Sequence, residues 1–308
     1  MRRLLSVAHA AAPFLAAALC AHGPELRAQD IEPRTYSNAP VGVNFLIAGY
    51  AYTRGDLPFG ALPITDAHLR TSSVLLAYAR VLDLWGESGK FDVIVPYASL
   101  SGTARHLGET VERNINGYND PRFRLSVNLY GAPALRLPEF AQYRQDLIIG
   151  ASLQVSAPTG QYDPTRLVNI GTNRWFFKPE VGISKAVQRW TVELTAAATF
   201  FADNDEFYNG GRREQDPLYS AQAHVIYAFS SGIWASFDAT WFAGGRTKLN
   251  GTLNSDLQQN WRLGGTLALP VDVRNSVKLY VSSGVSARTG NSFDLLGIAW
   301  QYRWGGGL

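Results

Sequence analysis

The sequence predicts an all-β fold: a transmembrane antiparallel up-and-down β-barrel of about 12 strands in an outer membrane. Three observations predict it. Stretches of alternating apolar and polar residues recur along the chain, an export signal opens it, and charge falls on one face of the strands. The alternation is cleanest near the end, where Trp261, Leu263, Leu267 and Leu269 interleave with Arg262, Gly264, Thr266 and Ala268. Val277, Leu279 and Val281 then alternate with Lys278, Tyr280 and Ser282, and Ile298, Trp300, Tyr302 and Trp304 with Ala299, Gln301 and Arg303. Successive strand side chains point to opposite faces, so one face is greasy and the other wet. A soluble sandwich buries the greasy face against a second sheet, whereas a membrane barrel turns it to lipid and keeps charge in its lumen.

Taken in order, the chain begins with Arg2 and Arg3 before a mostly apolar run from Leu4 to Ala21, and Ala28 offers a small residue ahead of Gln29. That is the anatomy of a secretory signal peptide over residues 1–28. A membrane-anchoring helix needs about 20 apolar residues. Ser6, His9 and Pro13 interrupt a run that is already shorter, and the bulky Leu19 makes Cys20 a poor lipidation site. Cleavage after Ala28 removes the single cysteine, which is compatible with transit through an oxidising periplasm. Residues 29–40 then form a periplasmic N-terminal segment able to enter the lumen from below, and 41–308 the barrel.

No later segment approaches 20 consecutive apolar residues, and the mean hydropathy of −0.09 is too polar for a bundle of membrane helices. A barrel hides in this way, because only every second residue meets lipid. The 28 basic and 25 acidic residues fall to 25 and 24 without Arg2, Arg3, Arg27 and Glu25, so nothing argues for nucleic acid. The 29 Gly, 15 Phe, 14 Tyr and 8 Trp suit tight turns and interfacial aromatics.

Strands are expected near 41–53, 71–85, 89–101, 121–131, 145–157, 173–186, 189–202, 217–230, 232–243, 259–270, 275–288 and 293–304. Short connectors such as 86–88, 187–188, Ser231 and 272–274 alternate with long ones at 54–70, 102–120, 158–172, 203–216 and 244–258. This is the rhythm of periplasmic turns and outer loops. Two connectors break it: 132–144 is long where a turn is due, and 289–292 is short where a loop is due. The phase is poorest between Ser73 and Trp85, where Leu75-Leu76 and Val81-Leu82 suggest a bulge. Pro179 removes a ladder donor inside a strand and implies another bulge or bend.

Placed on the strand phase, Arg124, Asp146, Lys178, Glu180, Glu193, Asp238, Arg262, Lys278 and Arg303 fall on the inward face. Each unpaired charge in a dry core would cost several kcal/mol, which favours a wet lumen lined by these nine. They either pair across strands to stiffen the wall or form a selective constriction. Barrels of about 8 strands are filled by side chains and those of about 16 to 18 hold an open channel. A lumen between these limits is narrow or partly plugged.

At Tyr36-Ser37-Asn38-Ala39-Pro40, Asp120-Pro121-Arg122, Gly160-Gln161-Tyr162-Asp163-Pro164, Asn169 to Trp175, Phe177 to Gly182 and Gln215 to Tyr219, the chain resembles outer-membrane proteins linked to the meta-pathway of phenol degradation. The resemblance spans residues 36–304 and is most specific from Asn169 to Gly182. It implies a transmembrane barrel that passes small aromatic or other hydrophobic compounds through the outer membrane. It brings no catalytic residues and no cofactor. Asp120-Pro121, Asp163-Pro164 and Asp216-Pro217 most simply set strand entries. The sequence departs from the usual aromatic C-terminus, since Gly305-Gly306-Gly307-Leu308 follows Trp304, which bears on reading by the barrel-assembly machinery.

An enzyme needs a nucleophile and a base. Beyond residue 28 only His68, His106 and His224 are histidines, the first two placed at or in loops, and no Gly-x-Ser-x-Gly elbow occurs, so an outer-membrane lipid hydrolase is disfavoured. No paired His or Cys spacing suggests a metal, and the acidic stretch Asp203 to Glu206 reads as a solvated loop before a calcium site. The expected partners are outer-membrane lipid, a small-molecule solute and the assembly machinery. A closed structural or interaction barrel without transport remains the alternative.

Overall fold

A computed structural model describes residues 32–56, 64–106, 109–229, 232–287 and 292–308. The expected signal peptide, Ser231 and nearly all of the connector 289–292 lie outside them. In chain order the elements are β1 (Val43–Asp56), β2 (Ile64–Leu84), β3 (Glu87–His106), β4 (Glu109–Tyr118), β5 (Arg122–Tyr130) and α1 (Leu137–Phe140). Next come β6 (Leu147–Ser156), β7 (Phe176–Val187), β8 (Trp190–Phe201), β9 (Asn204–Phe207), β10 (Gly211–Gln215), β11 (Leu218–Ala228) and β12 (Trp234–Gly244). The last are β13 (Thr247–Leu249), β14 (Thr252–Leu253), β15 (Gln258–Pro270), β16 (Asn275–Ala287) and β17 (Ser292–Gly305).

Twelve of these, β1, β2, β3, β5 to β8, β11, β12 and β15 to β17, form one antiparallel wall that closes where β1 pairs with β17. Closure matters energetically, because a free strand edge in lipid would leave several backbone groups without partners. The outward rows of this closed barrel are apolar: Val181 and Ile183 on β7, Val192 and Leu194 on β8, Phe237 on β12 and Leu296 on β17 are all exposed. So much exposed apolar surface would be untenable in water and fits lipid. Aromatic belts border it. Trp300, Tyr302 and Trp304 stack at 6.1 and 5.7 Å near the periplasmic rim, and Tyr97 meets Tyr118 edge-on at 5.2 Å toward the outer one.

The turns are short where the chain can make them so. Trp85 and Gly86, at φ of 59° and 87°, join β2 to β3 in the left-handed region that two-residue hairpins require. The long periplasmic connector after β5 is real and carries the single helical turn α1.

Several expectations are corrected. The poor phase from Ser73 to Trp85 is not a bulge: β2 pairs without a shift there, and its irregularity lies between Thr65 and His68. Ala77, Ala79 and Val81 simply face inward and are buried, so this part of the inner wall is apolar. Pro179 gives no bulge either. Pairing of β7 with β8 lapses between Phe177 and Glu180 and resumes in the same register, because the ring only deletes a donor. The loop expected at 102–120 is largely strand, since β3 and β4 pair up to His106 and Glu109. His68 and His106 therefore lie on strands. Within 203–216 and 244–258, β9, β10, β13 and β14 form a separate four-stranded sheet at the outer end. Asp163-Pro164 starts no strand, whereas Asp120-Pro121 and Asp216-Pro217 precede β5 and β11.

Among the described residues, two buried apolar clusters sit inside the barrel near the end that carries the β2–β3 turn: Tyr36, Ala132 and Ile148, and Ile226, Trp234 and Ala268.

A plugged lumen as the candidate functional site

The inner face is polar where the strand phase demands it, and residues 32–40 run into that space. The segment is tethered at the periplasmic rim, where Val41 N–H donates to the Leu135 carbonyl at 2.8 Å and Asn38 Nδ2 to the Pro133 carbonyl at 3.1 Å. From there Tyr36 lies flat against β6 and β7. Gly150 and Gly182 stand opposite each other on those strands, and a Cβ would come within 2.1 Å of the ring at Gly150 and 2.3 Å at Gly182. Two inward glycines in register thus make the slot that admits the ring. Tyr36 Oη donates to Glu180 Oε1 at 3.2 Å, and burial with the Glu180 carboxylate beside it pushes the phenol well above its usual range.

Further along, Arg34 N–H donates to Glu193 Oε2 at 2.6 Å, while Ser184 Oγ donates to Glu193 Oε1 at 2.9 Å. The Arg34 guanidinium lies 5.5 Å from the Trp234 ring centroid. Lys90 Nζ donates to the Thr35 carbonyl. Glu32 pairs with Arg124, whose Nε also donates to Asp92 Oδ2 at 2.7 Å. Burial alone would raise the Glu32 carboxyl, but the Arg124 guanidinium, with Lys178 and Lys278, holds it at about 2. The plug is therefore fixed by charge-assisted hydrogen bonds along its length. Between it and the wall remains a narrow gap lined by polar groups, among them Glu32, Arg124, Gln154, Lys178 and His224.

Of the nine residues expected to line the lumen, Arg124 and Glu193 hold the plug directly, and Glu180 does so through Tyr36. Lys178 lies 3.4 Å from Glu180. Lys278 lies 5.7 Å from the Trp234 ring centroid. Asp238 is fully buried, accepting from Ser236 Oγ at 3.1 Å and Thr266 Oγ1 at 3.2 Å, with His224 Nδ1 2.7 Å away. Arg262 is buried among β15, β16 and β17. Two residues sit elsewhere. Asp146 precedes β6, is exposed, and pairs with the outward Lys185, because the wall has ended at that level. Arg303 donates to the Val273 carbonyl in the periplasmic turn at 2.6 Å and belongs to the rim.

Sequence reasoning missed Lys90 and Asp92, although the alternation of Phe91, Val93, Val95 and Tyr97 already placed both inward. It also missed the plug's own Glu32, Arg34 and Tyr36. The paired glycines were the available signal for the ring. Arg212 pairs with Asp203 at 2.6 Å and lies near Asp205 and Glu214, so one guanidinium gathers three of the carboxylates of this acidic outer stretch.

A family model described as "Putative MetA-pathway of phenol degradation" matches residues 51–302. No curated protein matches the chain. Among solved structures, an outer membrane channel from Pseudomonas putida F1 superposes with a TM-score of 0.76 at 20% identity, over 89% of this chain and 100% of that one. The transport unit of the autotransporter AIDA-I from Escherichia coli gives 0.53 at 9% identity, over 89% and 94%. The beta domain of the Bordetella autotransporter BrkA gives 0.53 at 9% identity, over 85% and 100%. These likenesses carry the barrel fold.

Proposed function

The chain belongs to the family described as "Putative MetA-pathway of phenol degradation", and on that premise we propose that it is an outer-membrane channel or transporter for small aromatic or otherwise hydrophobic compounds. The observation that carries this reading is a closed wall around a polar lumen stoppered by the chain's own segment 32–40. A wall meant only as an anchor needs no wet interior, whereas a removable stopper is a way to control one.

In this reading Arg124, Lys178, Glu180 and Glu193 form the constriction with the plug, and Asp238, Arg262 and Lys278 line the lumen beside it. Asp146 and Arg303 act at the rim. The protein is a conduit and not an enzyme, since His224 is committed to Asp238 inside the wall. Residues 1–28 are an export signal, the assembly machinery inserts the wall, and lipid surrounds it. A gap lined by charge admits an apolar solute poorly, so passage proceeds by displacing the plug or by leaving sideways through the wall.

The test is single-channel conductance of the refolded protein beside a variant lacking residues 32–39, with phenol and toluene flux into liposomes measured on the same samples. Small steps are expected from the wild type and several-fold larger ones from the variant. Silence from both together with no phenol or toluene flux, in protein whose heat-modifiable mobility proves it folded, would sink the channel or transporter. It would leave a closed structural barrel, a second reading favoured by the existing pairing of Arg124, Glu193 and Asp238.

A further inference from the structure

Arg262 is 2% exposed yet makes no ion pair among the described residues. Its Nη1 donates to the Phe293 carbonyl at 3.0 Å and its Nη2 to Ser282 Oγ at 2.8 Å, both neutral acceptors, and its Nε has no partner. The carboxylate whose field reaches it, Asp294, faces out of the wall and accepts from Ser283 Oγ. A buried cation without a counter-ion is destabilising, and a chain that only needed to fill space would place an apolar residue there.

The surroundings are incomplete in the same sense. Gln222, Thr240 and Arg262 are direct cross-strand neighbours on β11, β12 and β15, and all three project into the barrel. Gln222 Oε1 and Thr240 Oγ1 are buried without partners, as is Asn260 Oδ1 two residues before Arg262. Buried polar atoms are nearly always satisfied, so four orphans on one stretch of the inner wall are places where water or the polar groups of a solute would bind. Apolar surface adjoins them. The guanidinium carbon lies 3.6 Å from the Phe293 ring centroid, and Phe242, paired with Asn260, is buried beside them. Gln222 also lines the gap beside Glu32 and Thr35, so this level adjoins the tip of the plug.

We propose that this level of the lumen is a subsite for an aromatic carboxylate. The carboxylate takes the unused Nε–H of Arg262 and the Thr240 hydroxyl as donors, with the Gln222 and Asn260 amides turned to present N–H. Its ring packs against Phe293 and Phe242. Charge selects the ion, since a neutral aromatic alcohol would leave the guanidinium uncompensated. To open the space, Arg262 gives up its bond to the Phe293 carbonyl. The proposal refines the channel reading by assigning an anionic solute to it.

The test is calorimetric titration of benzoate, then benzyl alcohol, into detergent-refolded wild type and Arg262→Gln, with phenol and benzoate flux measured separately in liposomes. Saturable benzoate binding that weakens at least about tenfold in Arg262→Gln, with no competition by benzyl alcohol, is the expected result. Equal binding by both proteins, absent binding by folded wild type, or competition by benzyl alcohol overturns the subsite. If Arg262→Gln does not fold, Thr240→Val decides: weaker benzoate binding supports the subsite and unchanged binding overturns it. Phenol flux without benzoate binding would refute the subsite alone, and benzoate binding with neither phenol nor benzoate flux into the same liposomes would refute the channel alone.

Discussion

A single aromatic ring and two missing side chains seat the plug, beside the charged contacts of Glu32, Arg34 and Thr35 that fasten it. Tyr36 is 3% exposed because Gly150 and Gly182 offer it bare backbone, and its hydroxyl finds Glu180. Gly182→Val should therefore drive the ring out, at about 1–3 kcal/mol of overpacking, while the strand itself welcomes valine. The expected outcome is a folded barrel with larger conductance steps and a lower midpoint of unfolding. An unchanged conductance would show that Tyr36 is not what closes the lumen. Legibility at this scale was uneven. The inward charges were readable from period two alone, but Asp146 and Arg303 were misplaced, because phase says nothing about where a wall ends.

Among the elements, the most informative irregularity is the change of partner along β3. Its first half pairs with β5 and its second with β4, and the residues between them, Asn119 to Pro121, step the register by one residue. At that step Asp120 accepts from Gly160 N–H and Thr172 N–H, both at 2.8 Å, and from Thr172 Oγ1 at 2.6 Å. The long loop 157–175, and with it the motif from Asn169 onward, is thus stapled to the break in the wall. Asp120→Ala leaves these donors without an acceptor, at about 1–3 kcal/mol. The expected result is faster proteolytic cleavage within 157–175 with the barrel's heat-modifiable mobility intact. Cleavage at the wild-type rate would mean that the loop is held elsewhere. The sequence marked Asp120-Pro121 as a turn, yet the loop it captures was beyond local reading.

For the molecule as a whole, wall and plug are separable in stability. The wall is one closed ladder, whereas the plug is held only by side-chain contacts and its rim tether. The plug should therefore open at lower free energy than the barrel, as segments with few buried contacts do. Trypsin should cut after Arg34 slowly in the wild type and much faster in Tyr36→Ala, with the barrel resistant in both. Simultaneous loss of plug and barrel would show instead that the segment is part of the cooperative core.

The sequence by itself determined the fold class, the twelve crossings and their inward and outward faces, because each rests on a period of two that a strand imposes on its own neighbours. It also determined the family, through motifs that are contiguous in the chain. Only the tertiary structure decided that residues 32–40 occupy the lumen, that the outer loops form their own sheet, and that Arg262 lies buried without a counter-ion among the described residues. Tyr36 and Glu180 are 144 residues apart, and Arg262 and Phe293 are 31. Such contacts exist because barrel closure brings distant strands around one axis, and that geometry is written in no local pattern.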